Sequence, residues 1–363
     1  MSLTEQTIKD ALQGVIDPNT EKDLVSSRCV KNIRVDGADV SLDVELGYPA
    51  KSSIDALRQT VIAALKALPG IGNVSANMQQ KITAHAVQKG VKLVSGVKNI
   101  IAVASGKGGV GKSTTAVNLA LALVAEGARV GLLDADIYGP SQPQMLGIAD
   151  SQPESSDGKK LEPLTAHGLQ AMSIGFLIDP ETPMVWRGPM VTQALTQLLG
   201  DTNWDDLDYL VIDLPPGTGD IQLTLAQQVP VTGAVIVTTP QDIALLDARK
   251  GLKMFEKVGI PILGVIENMS IHICSNCGHE EHIFGAGGGD RMSQDHEVEM
   301  LGALPLDRNI REQVDSGHPT VVAEPDGRVA AIYRDIARRV SIKIASQARD
   351  HSAKFPNIVV QNT

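Results

Sequence analysis

A glycine-rich loop between an apolar strand and an apolar helix is the feature that most constrains this chain. Residues 100–104 have the β-branched composition of a buried strand, and the run AVNLALALVAEG after the loop has a helical pattern. The loop follows the pattern G-x-x-x-x-G-K-[ST], whose glycines let successive backbone N–H groups converge on phosphate oxygens at a helix N-terminus. Its residues are Gly106, Lys107, Gly108, Gly109, Val110, Gly111, Lys112, Ser113 and Thr114. We therefore expect a nucleotide site with Lys112 on the β and γ phosphates, Ser113 on Mg²⁺ and Thr114 on a phosphate.

The rest of the chain after this loop alternates short apolar runs with helical patterns. Strands that are apolar on both faces and separated by helices are typical of a parallel sheet that helices cover on both sides. The fold class is therefore predicted to be α/β, with a mostly parallel sheet. The later apolar runs lie at residues 130–134, 209–213, 234–239 and 262–267.

The N-terminal part has a different texture, that of a small α+β unit. A helix is predicted near residues 4–15, strands at 28–35 and 40–46, a second helix at 52–68 and a third strand at 74–82. The polar segment 149–160 is predicted to be a surface loop. The predicted organisation is a small domain at 1–85, a linker at 86–97, the α/β domain at 98–350 and a C-terminal tail at 351–363.

Composition excludes several classes of function. The chain has 363 residues, of which 43% are hydrophobic and 3% aromatic, and its net charge is −10. An acidic chain with few aromatic side chains is poorly suited to bind nucleic acid. The N-terminus lacks a basic and apolar leader, no apolar stretch approaches about 18 residues, and the C-terminus lacks a basic amphipathic helix. We therefore expect a cytoplasmic protein with no nucleic-acid and no membrane partner.

Carboxylates follow two of the predicted strands, at the edge where a parallel sheet binds its ligands. Asp134 and Asp136 lie in LLDADIYGPS, and Asp213 lies in VIDLPPGTGD. Asp213 is the candidate for acting on Mg²⁺ through water, and the turn at residues 215–217 is a candidate switch that senses the γ-phosphate. An aspartate at the end of a strand is often only a helix cap, and for Asp134 the two alternatives are equally weighted.

A pair of cysteines forms the second chemical feature. Three cysteines are too few for a disulfide framework, and Cys274 and Cys277 stand in the C-x-x-C spacing of half a tetrahedral metal site. Local histidines would complete a zinc site, whereas a second copy of the chain would give four thiolates, which suits a [4Fe-4S] cluster. A redox disulfide pair is a third alternative. The candidate histidines are His272, His279 and His282.

These motifs together resemble the Mrp/ApbC family of iron-sulfur cluster carrier ATPases over residues 97–345. The resemblance rests on the loop, which carries a second lysine, Lys107, besides Lys112. It rests also on DADIYGPS, DLPPGTGD, VWRGPM at 185–190, ENMS and the C-x-x-C pair just after ENMS. The N-terminal unit resembles the small accessory domain of iron-sulfur assembly proteins. Cys29 matches no motif of the family, and a buried core thiol is its expected role.

The resemblance implies specific roles for several residues. In this class of P-loop NTPase, the lysine at the position of Lys107 crosses to the phosphates of the facing subunit of a homodimer. Asp136 would position the hydrolytic water, and Asn268 would bind the adenine edge, with a buried structural amide as the alternative. The implied cofactors are ATP, Mg²⁺ and a [4Fe-4S] cluster bridged by Cys274 and Cys277 of two subunits. The implied partners are apo iron-sulfur proteins and cluster-assembly scaffolds.

Two other functions remain open from the sequence. A spatial-organising ATPase similar to MinD or ParA would need a C-terminal amphipathic helix or a basic face, and it would leave the cysteine pair without a role. An ATPase with structural zinc at the C-x-x-C pair is the other alternative, because the spacing of two thiolates does not distinguish zinc from a cluster.

Overall fold

A computed structural model of the chain describes residues 3–88, 91–155, 158–178, 188–274 and 276–348. The predicted tail at 351–363 and the first three residues of VWRGPM therefore lie outside the described residues. None of the helices in these ranges combines the length and the apolar character that a membrane span requires.

The N-terminal part folds as a three-stranded sheet with two helices. The sheet has the order β3-β4-β5, with β3 antiparallel and β5 parallel to β4, and a separate β1-β2 pair precedes it. Every second residue of β4 is buried from Val40 to Leu46, as expected for a sheet with one face on a core. The elements are α1 (Glu5–Leu12), β1 (Ile16–Asp17), β2 (Lys22–Asp23), β3 (Val30–Asp36), β4 (Asp39–Leu46), α2 (Ile54–Lys66) and β5 (Val74–Gln80).

An eight-stranded sheet forms the centre of the larger part, in the order β15-β12-β11-β6-β10-β7-β9-β8. All neighbouring strands are parallel except β8 and β9. The strands are β6 (Val97–Ala104), β7 (Val130–Asp134), β8 (Leu164–Ala166), β9 (Leu169–Ser173), β10 (Leu207–Asp213), β11 (Gly233–Thr238), β12 (Ile262–Glu267) and β15 (Met300–Ala303). The predicted α/β class is confirmed.

Helices connect these strands, and a short hairpin leaves the sheet after β12. The helix α3 is buried along most of its length because it lies against the sheet and is covered by α11. The helices are α3 (Lys112–Ala125), α4 (Gln142–Met145), α5 (Gly188–Asp201), α6 (Asp220–Gln228), α7 (Asp242–Lys257), α8 (Gly288–His296), α9 (Arg308–Asp315), α10 (Thr320–Ala323) and α11 (Arg328–Ala345), and a 3₁₀ turn lies at Ile174–Phe176. The hairpin strands are β13 (His272–Ile273) and β14 (Glu280–Glu281).

The two parts have separate apolar cores, and a buried carboxylate joins them. Glu126, directly after α3, is fully buried and accepts hydrogen bonds from the backbone N–H of Ser52 at 3.0 Å and from the Ser52 hydroxyl at 2.7 Å. Arg338 of α11 forms an ion pair with the same carboxylate at 2.8 Å. The N-terminal part therefore contacts the end of α3 opposite to the glycine-rich loop. The domain boundaries themselves stay a prediction.

Candidate functional site

The glycine-rich loop lies between the end of β6 and the first residue of α3, as the sequence predicted. Gly111 caps α3 with a φ of +81°, and Gly109 has a φ of +83°, a backbone region that favours glycine. The loop lines a cavity of about 240 Å³ together with Asp136, Ser141, Met145 and Pro216. Loop N–H groups and the N-terminus of α3 make this cavity a suitable site for phosphate.

Lys112 is held inside the protein by a carboxylate. Its ammonium group forms an ion pair with Asp213 and also lies 3.1 Å from the hydroxyl oxygen of Ser113. The Lys112 side chain is 6% exposed, and Asp213 is fully buried at the end of β10. The two buried charges compensate each other, and the ion pair holds the lysine at the cavity.

Gln142 is a site residue that sequence analysis missed. Its side-chain amide donates to the second oxygen of Asp213 at 2.9 Å and to the carbonyl of Ser113 at 3.0 Å. Its own Oε1 is buried without a hydrogen-bond partner among the described residues. Gln142 thus joins the segment after β7 to both the loop and Asp213. The motif DADIYGPSQ contains no signal for this long-range contact.

Asp134 and Asp136 have different surroundings although they are two residues apart. Asp134 is fully buried and accepts backbone N–H bonds from Asp136, Ser141 and Gln142 at 3.1, 2.9 and 3.0 Å. Burial, with the neighbouring charge of Asp213, raises the pKa of Asp134. Asp134 therefore shapes the turn that carries Asp136. The Asp136 carboxylate faces the cavity 4.0 Å from the Lys112 ammonium, and burial raises its pKa as well.

The turn after Asp213 also contacts the loop. Gly217 has a φ of +103° and donates its N–H to the carbonyl of Ser105 at 3.0 Å. Lys107 lies beside this turn, half-buried, and its ammonium group makes no ion pair with any residue in the described ranges. A cation at the cavity without an ion-pair partner among the described residues fits the predicted contact with a facing subunit, which stays a prediction.

Asn268 lies behind the loop and contacts its backbone. Its side-chain Nδ2 donates to the carbonyl of Val110 at 2.9 Å, and its Oδ1 accepts the N–H of Met269 at 2.9 Å. The residue is 9% exposed. These contacts are those of the buried structural amide given as the alternative, and the contact of Asn268 with adenine stays a prediction.

The cysteine pair lies in the hairpin of β13 and β14, outside the sheet. The backbone N–H of Cys274 donates to the carbonyl of His279 at 2.9 Å, and Gly278 donates to the carbonyl of Cys274 at 2.8 Å. Cys274 is half-buried, and Cys277 is exposed. Hydrogen bonds from the backbone N–H groups of Asn276 and Cys277 and from the Cys277 thiol lower the pKa of Cys274. A thiol with a lowered pKa is prepared to bind a metal as the thiolate.

Two of the local histidines are bonded to backbone instead of to the thiols. Nδ1 of His272 lies 3.1 Å from the carbonyl of Leu306, and Nδ1 of His282 lies 2.8 Å from the carbonyl of Ser270. No cluster of three or more histidine, cysteine or acidic side chains suited to a metal ion occurs in the described ranges. Cys29, in the N-terminal part, is half-buried, and burial raises its pKa. The described residues thus bring Cys274 and Cys277 together in one hairpin, and the metal site expected at this pair stays a prediction.

The parallel sheet with β6 at its centre, the loop and the Lys112–Asp213 pair define a P-loop NTPase. A family model described as a ParA-like NUBPL iron-transfer P-loop NTPase matches residues 96–341. A second model, described as an iron-sulfur cluster assembly protein, matches residues 5–78. The chain belongs to this family of iron-transfer P-loop NTPases, and the resemblance predicted from the motifs is confirmed.

Similar proteins agree with this assignment. The chain is 50% identical to a protein named iron-sulfur cluster carrier protein of Haemophilus influenzae, over 94% of this chain and 92% of that protein. A nucleotide-binding protein of Archaeoglobus fulgidus solved with ADP has a TM-score of 0.58 and 36% identity, over 66% of this chain and 93% of its own. The cell division ATPase MinD of Pyrococcus furiosus has a TM-score of 0.51 at 23% identity, over 68% of this chain and 99% of its own, a likeness of fold alone.

Proposed function

We propose that this protein is an ATP-hydrolysing carrier that holds a labile [4Fe-4S] cluster between two subunits and transfers it to apo iron-sulfur proteins. One observation carries the proposal: a phosphate loop whose Lys112 is paired with Asp213 and a C-x-x-C pair, with Cys274 half-buried and Cys277 exposed, occur in one chain. The cluster is cargo, so no redox chemistry on a substrate is implied.

The nucleotide half of the proposal rests on the cavity at the loop. ATP would place its β and γ phosphates where the N–H groups of Gly108 to Thr114 converge, and Lys112 would exchange Asp213 for phosphate oxygens. Asp136 faces the same cavity and would orient the water whose oxygen bonds to the γ phosphorus as the bond to ADP breaks. Lys107 of the partner subunit would add charge at the transferring phosphoryl group.

The residues at the cavity fit Mg²⁺, which supplies charge compensation for the phosphates when bound. Mg²⁺ prefers oxygen ligands and keeps several waters. The Ser113 hydroxyl and the Asp213 carboxylate provide such oxygens, and the buried Oε1 of Gln142 lies beside them without a partner in the described ranges. Ser113 would bind the ion directly and Asp213 through water.

The cluster half of the proposal rests on the incomplete site at Cys274 and Cys277. Two thiolates per chain cannot enclose a four-cysteine cluster, whereas a two-fold axis supplies two more. The Nδ1 contacts of His272 and His282 with backbone carbonyls leave each Nε2 lone pair available to a metal, so local zinc is the alternative that the metal analysis must distinguish. Exposure of Cys277 supports transfer, because the acceptor must reach the cluster. Apo-proteins and assembly scaffolds are the proposed partners, and three free cysteines agree with the reducing cytoplasm as the proposed location.

Metal analysis of separated monomer and dimer tests this proposal. After anaerobic reconstitution with iron and sulfide, we expect iron and sulfide only on the dimer, with at most four of each per dimer, and we expect cluster assembly to drive dimerisation. Stoichiometric metal on the monomer would support local zinc and refute the bridged cluster.

Sedimentation of Lys107→Ala with a non-hydrolysable ATP analogue tests the nucleotide half, because loss of Lys107 should abolish the tightening of the dimer. Binding to lipid vesicles or DNA without cluster loading would support the spatial-organising alternative.

A further inference from the structure

Two adjacent residues at the end of β12, Glu267 and Asn268, contact different parts of the chain. The Asn268 side chain contacts the phosphate loop, and the Glu267 side chain contacts the start of α8. The chain between these contacts, residues 269–287, carries the cysteine pair. We call Glu267 and Asn268 the junction, because both ends of this excursion are fastened to it.

The contact of Asn268 with the loop orients a phosphate-binding group. The peptide unit between Val110 and Gly111 is trans, so its N–H points away from its C=O, and the C=O is bonded to Asn268. The N–H of Gly111 is thereby aimed away from Asn268, and Gly111 lines the cavity. A phosphate oxygen that accepts this N–H polarises the peptide unit and makes the Val110 carbonyl a stronger acceptor for Asn268.

The junction is closely packed against the groups it binds. A Cβ on Gly111 would lie 2.2 Å from Nδ2 of Asn268. Glu267 is 5% exposed and accepts the N–H of Gly289 at 2.5 Å, where a Cβ on Gly289 would lie 2.9 Å from the sulfur of Met300. Closely packed contacts of this kind transmit a displacement instead of absorbing it.

Hydrogen bonds hold the part of the excursion that lies between the junction and the cysteines. Met269 has a φ of +57°, and the N–H of Ser270 donates to the carbonyl of Leu304 at 2.9 Å. His282, on the return limb, is bonded to the Ser270 carbonyl, and the N–H of Leu306 donates to Ile271 at 2.8 Å. Cys274 follows Asn268 by six positions.

We infer that the Glu267–Asn268 junction couples the phosphate loop to the cysteine hairpin, so that ATP binding changes how firmly the cluster is held. This inference rests on the proposed function. Glu267 is a positioning residue, because it touches neither nucleotide nor thiol. It fastens the return limb of the hairpin to the segment that Asn268 holds against the loop.

Hydrogen exchange of the cluster-free, full-length chain tests the coupling without any variant. With Mg²⁺ and a non-hydrolysable ATP analogue, amides of residues 268–274 and of Gly289 should exchange about fivefold or more slowly, the lower range of ordinary coupling. Protection that ends at the phosphate loop and the switch turns would overturn the inference and leave the proposed function intact.

Variants of Glu267 provide the second test, on reconstituted protein. The measurement is the rate at which an iron chelator removes iron, with and without the ATP analogue. Glu267→Ala should remove the nucleotide effect while iron content stays at the wild-type level, and Glu267→Gln should retain the effect because its amide oxygen still accepts from Gly289. Glu281→Ala, an exposed carboxylate in the hairpin, is the matched control and should behave as wild type.

An unchanged nucleotide effect in Glu267→Ala, or none in wild type, would overturn the coupling. Failure of wild type to hold iron and sulfide would refute the proposed function and the coupling with it.

Discussion

The phosphate loop and the cysteine hairpin are two sites of one chain with opposite construction. At the loop, Lys112 and Gln142 both bond to Asp213, and all three side chains are buried. The ends of strands and the starts of helices position them. At the hairpin, Cys274 and Cys277 lie in the turn between two short strands, and Cys277 is exposed. A site that performs the same reaction repeatedly benefits from such preorganisation, whereas a site that releases its cargo must leave ligand positions open.

Electrostatics separates the two regions in the same way. Burial raises the pKa of Asp134 and Asp136 near the loop, so their charged forms depend on the N–H groups and the lysine around them. At the hairpin, the N–H groups of Asn276 and Cys277 and the Cys277 thiol lower the pKa of Cys274, and their effect exceeds the opposing effect of partial burial. At the loop, removal of a hydrogen-bonding or charged neighbour should therefore destabilise the buried carboxylates. At the hairpin, removal of a cysteine should instead affect metal binding.

The largest effect is expected for Lys112→Ala. ATP hydrolysis should fall at least about a thousandfold, because the charge on the transferring phosphoryl group is lost. The free energy of unfolding should also fall by about 3 kcal/mol, since Asp213 would remain buried without its cation. Phosphate release and denaturant unfolding measure the two effects. Lys250→Ala, at an exposed ion pair with Asp247, is the control and should change neither. Near-normal turnover would exclude the loop from the mechanism.

A cysteine substitution should separate the sites completely. Cys274→Ser should abolish binding of iron and sulfide, because one chain then contributes a single thiolate, while ATP hydrolysis should stay within about twofold of wild type. Iron and sulfide assays on anaerobic protein measure the first effect, and phosphate release measures the second. Cys29→Ser is the matched control and should retain the cluster. A full complement of iron in Cys274→Ser would show that the pair does not hold the cluster.

The loop site could be predicted from the sequence in detail because its parts are contiguous motifs at strand ends. Lys112, Asp136 and Asp213 converge because neighbouring parallel strands end at one edge of the sheet. Gln142 and the contact of Asn268 with Val110 could not be predicted, since each joins segments far apart in the chain. The short strands β8, β9 and β15 were also missed. β8 and β15 are the edge strands and β9 lies next to β8, and apolar runs are short there. For the hairpin, the spacing predicts two thiol ligands, but it does not distinguish a bridged cluster from local zinc, because both sites contain such a pair.

A smaller, graded difference is expected in the reactivity of the thiols. In metal-free protein at pH 7.5, iodoacetamide should modify Cys274 about tenfold or more faster than Cys29, because only the thiolate reacts. The pKa of Cys274 is lowered and that of Cys29 is raised by burial, so the thiolate of Cys274 forms first as pH rises. The rate for Cys274 should accordingly level off at a lower pH. Mass spectrometry of the peptides over time measures both rates, and equal rates would contradict the difference between the two thiols.

The smallest effect is expected for the stability of the hairpin. Cys277→Ala should shift the unfolding temperature of the cluster-free chain by less than about 2 °C, because an exposed side chain contributes little to folding. Gly111→Ala is the counterpart at the loop. It should lower the unfolding temperature clearly, since a Cβ at a φ of +81° would also lie 2.2 Å from Asn268. Calorimetry of both variants compares the two regions directly. A large shift for Cys277→Ala would mean that the hairpin is part of the folded framework, and release of cargo would then have to disturb the fold itself.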